Sequence, residues 1–275
     1  MPATELRRST LVDVVDAAAV QAPSLRIHLD RPLYAFPELG DGLSYAQVAE
    51  CGRRLAAGLH RAGVRAGQRV AVVKRNHLDT YLLTYAAMRL GAVPALISPE
   101  LAPASARVLL ETLAPDALVT DAAVAEHKAL RGVALHDHAD LLISVGDGVR
   151  GAEPLELDAP EPPAAVIRAP EAAVLVTHTS GTTDIPKLAV QSNRSLAANW
   201  SAIPVWAKAL RLRETVGAHL AFPHIRVVTG LTSLLAMRWQ LVVVTDPDPA
   251  HVDAVFSAHR PGVVETFPNV FMLWE

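Results

Sequence analysis

The chain has 275 residues, 25 basic against 28 acidic side chains, and a formal charge of −3. That length allows a substantial core, and the near balance of charge, with no Lys/Arg block, leaves no footprint for nucleic acid. Apolar runs such as Leu241–Val244 fall far short of the ~20 residues of a membrane span, and MPATELRRST has no apolar stretch behind it, so a cytoplasmic protein without a secretory signal is expected. One cysteine, Cys51, excludes an intrachain disulfide or a cysteine-based zinc cluster, and the histidines lack metal-ligand spacing, so no metal site is expected.

The first clear element is a helix from Ser44 to His60, with Ser44 as cap, Gln47 closing a capping box, and Leu43 with Val48 forming a hydrophobic staple. Val48, Cys51, Leu55 and Leu59 recur at helical spacing, which makes Cys51 a core residue, and Gly63 stops the helix at positive φ. Then follow a strand over Arg69–Lys74, a helix over Leu78–Leu90 ending at Gly91, a strand over Val93–Ser98 and a helix over Pro103–Leu113. A strand over Ala117–Thr120, a helix over Ala122–Leu130 and a strand over Leu141–Val145 complete this part. Short apolar strands alternating with longer helices are the pattern of βαβ units, so an α/β fold of layered, parallel-rich sheets flanked by helices is expected.

Periodicity fails between Gly146 and Pro170, where prolines and acidic residues collect in APEPPAAVIRAP. This reads as a connector, giving a first α/β subdomain over 1–150, a linker over 151–170 and a partial second α/β subdomain over 171–275. The second part begins with a strand over Ala172–Thr177. Ser192 caps the next helix, and Pro204 ends or kinks it. A strand over Val216–Phe222, a helix over Thr232–Trp239, a strand over Leu241–Thr245, a helix over Ala250–His259 and a strand over Val263–Phe267 complete the pattern.

Chemistry concentrates in Thr177–Val190, THTSGTTDIPKLAV. Gly181 permits a tight backbone path, Ser180, Thr182 and Thr183 offer hydroxyls, successive N–H groups can form an anion nest, and Lys187 adds a flexible charge. Residue chemistry alone leaves two readings open, a phosphate loop or a solvated Ser/Thr turn beside a surface lysine. The spacing is neither GxxxxGK[ST] nor GxGxxG, so the kinase-like and dinucleotide-fold readings lose support.

THTSGTTDIPK resembles the phosphate-binding signature of the acyl-adenylate-forming superfamily, which includes acyl-CoA synthetases, peptide-synthetase adenylation domains and luciferases. Thr179, Ser180, Gly181, Thr182, Thr183, Pro186 and Lys187 match it in order. The segments from Leu43 to Asn76 and LLTYAAMRLGAVPALISPELAP resemble the family's first helix–strand units, so the likeness runs from about residue 9 to the end. The resemblance implies ATP-dependent activation of a carboxylic acid to an acyl-adenylate, with Mg²⁺ on the triphosphate. Transfer to CoA, or to the phosphopantetheine of an acyl carrier protein, usually follows. It assigns Thr179, Ser180, Gly181, Thr182, Thr183 and Lys187 to the phosphates. It makes His224 a residue that binds or orients the acyl carboxylate, and Phe222 a wall of the acyl pocket; a packed, hydrogen-bonded histidine is the plainer reading of His224. Trp200, Trp206 and Trp239 read as packing residues.

Two positions depart from the pattern: Asp184 and Leu188 stand where the family usually has Gly. Asp184 adds negative charge beside a triphosphate and restricts the backbone. The resemblance also places the adenine- and ribose-binding segments and the small carboxy-terminal lid domain beyond Glu275, so residues 1–275 alone are expected to turn over poorly. The competing reading is a non-catalytic nucleotide-binding or scaffold protein that retains the fold.

Overall fold

A computed structural model describes residues 3–179, 186–209, 215–219 and 221–266. The chain opens with α1 (Ala3–Leu6), α2 (Leu11–Gln21), β1 (Arg26–Leu29) and β2 (Gly42–Ser44), none of them anticipated from sequence periodicity. There follow α3 (Tyr45–Arg61), β3 (Arg69–Val73), α4 (Asp79–Arg89), β4 (Val93–Leu96), α5 (Pro103–Leu113), β5 (Ala117–Thr120), α6 (Ala122–His127) and β6 (Leu141–Ser144). Beyond β7 (Glu153–Pro154) come β8 (Ala173–His178), β9 (Leu188–Ser192), α7 (Asn193–Ala209), β10 (Thr215–His219), α8 (Ile225–Met237), β11 (Gln240–Val244), α9 (Pro249–His259) and β12 (Val263–Glu265).

Local chemistry explains the best-defined ends. Ser44 accepts the Gln47 N–H while Gln47 accepts the Ser44 N–H, the reciprocal box read from the sequence. At the far end of α3 the Val64 N–H reaches the Leu59 carbonyl and the Gly63 N–H reaches His60, with Gly63 at φ 110°. The same paired closure ends α4, where Ala92 bonds Ala87 and Gly91 bonds Met88, with Gly91 at φ 71°. Ser192 caps α7 by accepting the Ser195 N–H. That helix continues through Pro204 to Ala209, so the expected stop is not realised, and α8 starts at Ile225, well before the expected Thr232.

Among the described residues the strands form two sheets. One has the order β12–β10–β11–β1–β2, parallel except for β1 against β2. The other has the order β7–β6–β5–β3–β4–β8–β9, parallel except for the β8–β9 hairpin. The sheets do not divide at the 151–170 connector. The early strands β1 and β2 join the sheet of β10–β12, and the later β8 and β9 join the sheet of β3–β7. Sequence proximity suggested a split there, but pairing partners lie far apart in the chain.

Strand alternation shows why the composition is so rich in Ala, Val and Leu. Val70 and Val72 of β3 enter the main core, shared by both sheets with α2, α3, α4 and α8, whereas Ala71 and Val73 enter a second core beneath α5 and α6. Both faces of this parallel sheet are therefore covered. Cys51 is buried on the α3 stripe, and burial pushes its thiol up to about 12, which makes it a packing residue at neutral pH. No helix among the described residues is long and apolar enough to cross a membrane.

Candidate functional site

In open α/β sheets, ligand sites form where parallel strands end at their carboxyl edge. Here the segments leaving β3, β4, β8 and β10 meet at that edge. Asn76, just past β3, accepts the Phe222 N–H at 2.8 Å and so ties the segment after β10 to the segment after β3. Ser98, just past β4, donates its N–H to His178 Nε2 at 3.0 Å, at the end of β8.

The hydroxyl-rich segment joins β8 to β9. Its residues Ser180, Gly181, Thr182 and Thr183, with Asp184 and Ile185, lie outside the described residues. The two ends of the segment are described. The Thr179 N–H donates to the Lys187 carbonyl at 2.9 Å, and the Lys187 N–H returns to Thr179 Oγ1 at 3.3 Å. Thr179 and Lys187 thus close a neck that continues the hairpin register His178↔Leu188. Both side chains are exposed, so the Lys187 ammonium is open to a solvent-borne anion. Leu188, where the resembled family usually has Gly, begins β9 and packs half-buried against the second core. A strand residue here has no need of positive φ.

His224 caps α8, its Nδ1 accepting the Arg226 N–H at 3.2 Å. Burial, the Arg226 charge and His178 together hold its pKa below the ordinary histidine value. Capping requires an unprotonated Nδ1, so the neutral ring carries its proton on Nε2. Phe222, read as a pocket wall, is 1% exposed within the main core, where it anchors the turn leading to His224. Trp200 is fully buried and donates to the Leu6 carbonyl at 3.1 Å. Trp239 packs against the core, and its carbonyl accepts the Tyr45 hydroxyl. The side chain of Trp206 lies outside the described residues.

The sequence reading missed a charged cluster beneath this edge, built around the buried Lys74, His77, Asp79 and Asp121. Asp121 lies 3.7 Å from the Lys74 ammonium and 3.2 Å from Arg75 Nε, and Arg75 reaches Asp147 at 2.8 Å while stacking over Tyr34. Asp79 accepts the Tyr34 and Ala35 N–H groups and faces His77 Nδ1 at 2.7 Å. Burial opposes its charge, yet Lys74, His77 and the backbone donors hold its carboxyl well below the usual range. The available signal was the charged run KRNHLD directly after an apolar strand. Its partners, 34, 35, 121 and 147, are remote in sequence.

Layered parallel-rich sheets, with a polar hairpin neck and a histidine-capped helix where the segments after β3, β4, β8 and β10 meet, define an α/β protein with a candidate site at that edge. The chain belongs to the AMP-binding enzyme family, whose model matches residues 20–274. It is 35% identical to the 3-amino-2-hydroxy-4-methoxybenzoate diazotase of Streptomyces cremeus, over 96% of this chain and 52% of that protein. It is 31% identical to 4-coumarate–CoA ligase 1 of Oryza sativa subsp. japonica, over 62% of this chain and 31% of that one. Among solved structures, a long-chain-fatty-acid–CoA ligase from Archaeoglobus fulgidus superposes with a TM-score of 0.82 at 24% identity, covering 96% of this chain and 53% of the other. The chain thus spans about half the length of the diazotase and of that ligase.

Proposed function

We propose that the protein carrying this chain activates an aryl carboxylic acid with ATP. A carboxylate oxygen attacks the α-phosphorus, pyrophosphate leaves, and an acyl-adenylate forms. The thiol of CoA, or of a carrier protein's phosphopantetheine, then attacks the acyl carbon and AMP leaves. The Thr179–Lys187 neck carries this reading, because it presents an exposed ammonium at one end of a hydroxyl-rich segment that matches the family signature in order. Relatives named for 4-coumarate, salicylate and 4-chlorobenzoate support an aromatic acid over a long aliphatic one.

In this reading Lys187, with the hydroxyls and N–H groups of Thr179 to Thr183, offsets triphosphate charge, while His224 directs its Nε2–H toward the acid. The described residues hold no cluster of three or more His, Cys, Asp or Glu fit for a metal, so Mg²⁺ would arrive on the nucleotide phosphates. A cytoplasmic setting belongs to the same reading.

Acid-dependent exchange of labelled pyrophosphate into ATP tests it, run on a polypeptide containing residues 1–275 and the later family segments. The Lys187→Ala variant should bind Mg-ATP about tenfold to hundredfold more weakly, as loss of a charge-assisted hydrogen bond implies. Asp184→Gly should bind it more tightly if repulsion governs that position. Absence of exchange with aromatic, aliphatic and amino acids alike would end the assignment. Residues 1–275 alone are expected to form little thioester.

The diazotase likeness favours a second reading. Making a diazonium from an aryl amine and nitrite requires both nitrite oxygens to depart: adenylation can carry one away on AMP as the amine nitrogen bonds to the nitrite nitrogen, and the other, taking up the amine protons, leaves as water. AMP release that depends on nitrite plus an amino-substituted aryl acid, with no acid-dependent exchange, would select this reading.

A further inference from the structure

His178 stands immediately before the hydroxyl-rich segment, and none of the roles considered so far uses it. Its ring is bonded at both nitrogens. The Ser98 N–H can only donate, so Nε2 must carry a lone pair. The Thr179 carbonyl, 3.2 Å from Nδ1, can only accept, so Nδ1 must carry the proton. Of the three forms a histidine can take, only the neutral Nδ1–H tautomer satisfies both contacts. These contacts join the turn after β4 to Thr179, and Thr179 in turn holds Lys187 through the two hydrogen bonds of the neck.

We propose that His178 is a positioning residue, a neutral strut that fixes the Thr179–Lys187 neck against the Ser98 turn and releases it when the ring takes up a proton. Protonation sets Nε2–H against the Ser98 N–H, so that bond is lost. The new charge would also oppose any charge on His224 at the start of α8, the one titratable group whose shift His178 influences among the described residues. Glu100, two residues beyond Ser98, is engaged by Lys128. Burial already disfavours the charged ring. The inference rests on the phosphate-site reading for its functional consequence, but its structural half stands apart from nucleotide binding.

Two measurements separate these halves, spectroscopy on the 275-residue chain and calorimetry on the longer polypeptide that carries the later family segments. Imidazole ¹⁵N spectra assigned through a His178→Gln variant should show the Nδ1–H tautomer at pH 8, and the Ser98 amide should shift with the titration of His178. An Nε2–H tautomer, or a Ser98 amide indifferent to that titration, would overturn the strut whatever the chain binds. Calorimetry with Mg-ATP at pH 8 and at an acid pH below the His178 midpoint read in those spectra then reads the consequence. His178→Gln keeps an acceptor for the Ser98 N–H at both pH values, so it should bind within about threefold of the parent at pH 8. At the acid pH it should bind better than the parent, by up to about tenfold, the worth of one hydrogen bond of ordinary strength. Equal acid losses in parent and variant would assign the pH dependence to the nucleotide or to His224 and overturn release of the neck. Equal affinity in parent and Lys187→Ala would instead count against the phosphate-site reading and leave the spectroscopic result to decide the strut.

Discussion

Lys74 and Asp121 are both removed from water, and Asp121 also accepts the Arg75 N–H at 2.8 Å and caps α6 through Val124. Removing one member of a buried pair leaves an uncompensated charge, so Asp121→Ala should cost about 3–5 kcal/mol. Replacing Glu111, whose exposed carboxylate sits 3.8 Å from Arg107, should cost under about 1 kcal/mol. Urea midpoints would check both, and a mild Asp121 variant would mean that Lys74 finds another partner. A different pattern governs the histidines His28, His178, His219 and His224, all held below the ordinary value chiefly by burial. For His28 the neighbouring His259 ring, 4.5 Å away, adds like-charge repulsion. Such groups take protons in the unfolded chain before they do so in the folded one. Their contribution is complete above the ordinary value near 6.5 and is lost as pH falls through it. Asp79, depressed from a carboxylate value, weakens the fold only at far lower pH. The urea midpoint should therefore drop between pH 7.5 and 5.5, and drop less in His219→Asn. A midpoint that rises on acidification would contradict this.

Helices with local end signals were the most legible elements. The α3 capping box needs only residues three apart, and α5 and β5 fall on the boundaries their patterns imply. Four-residue β1, with Arg26 and His28 alternating against Ile27 and Leu29, carries too little signal alone; its identity comes from pairing with β11 more than 200 residues later. β9 hid inside the loop motif because a short strand of intermediate burial looks like the return of a turn. The loop's hydroxyls and lysine raised the expectation of a phosphate site from sequence alone, whereas the Ser98–His178 contact, 80 residues apart, left no sequence signal. Helix ends also offer a clean comparison. Gly63→Ala meets nothing nearer than Leu141 Cδ2 at 3.8 Å, leaving only the positive-φ strain of about 1–2 kcal/mol. Gly91→Ala adds a Cβ at 2.7 Å from Val166 Cγ1 and 3.0 Å from Val166 Cβ, in a connector whose backbone is bonded to Arg89. It should cost a further ~1 kcal/mol or more, as overpacking does. Similar thermal midpoints for the two variants would show that the connector yields freely.

The interleaving of the two sheets sets how the whole molecule can come apart. Residues before the connector supply β1 and β2 to a sheet otherwise built from residues after it, and β8 and β9 complete the sheet begun by β3. Polar contacts cross the same divide: Tyr81 with Thr232 at 3.0 Å, and Trp200 with the Leu6 carbonyl. The connector itself is fastened to the first part, with Arg54 donating to the Leu157 carbonyl and Arg168 to that of Gly91. A protease site placed at the exposed Glu161 should therefore nick the chain without releasing two bodies. The pieces should elute together in size-exclusion chromatography and unfold in one urea transition, because each alone would lose strand partners and expose part of the shared core. Residues 1–160 and 161–275 expressed separately should each fail to give a cooperative transition, yet recover one when refolded together. Independent folding of either piece would mean that β1 and β2, or β8 and β9, contribute little to the sheet they join.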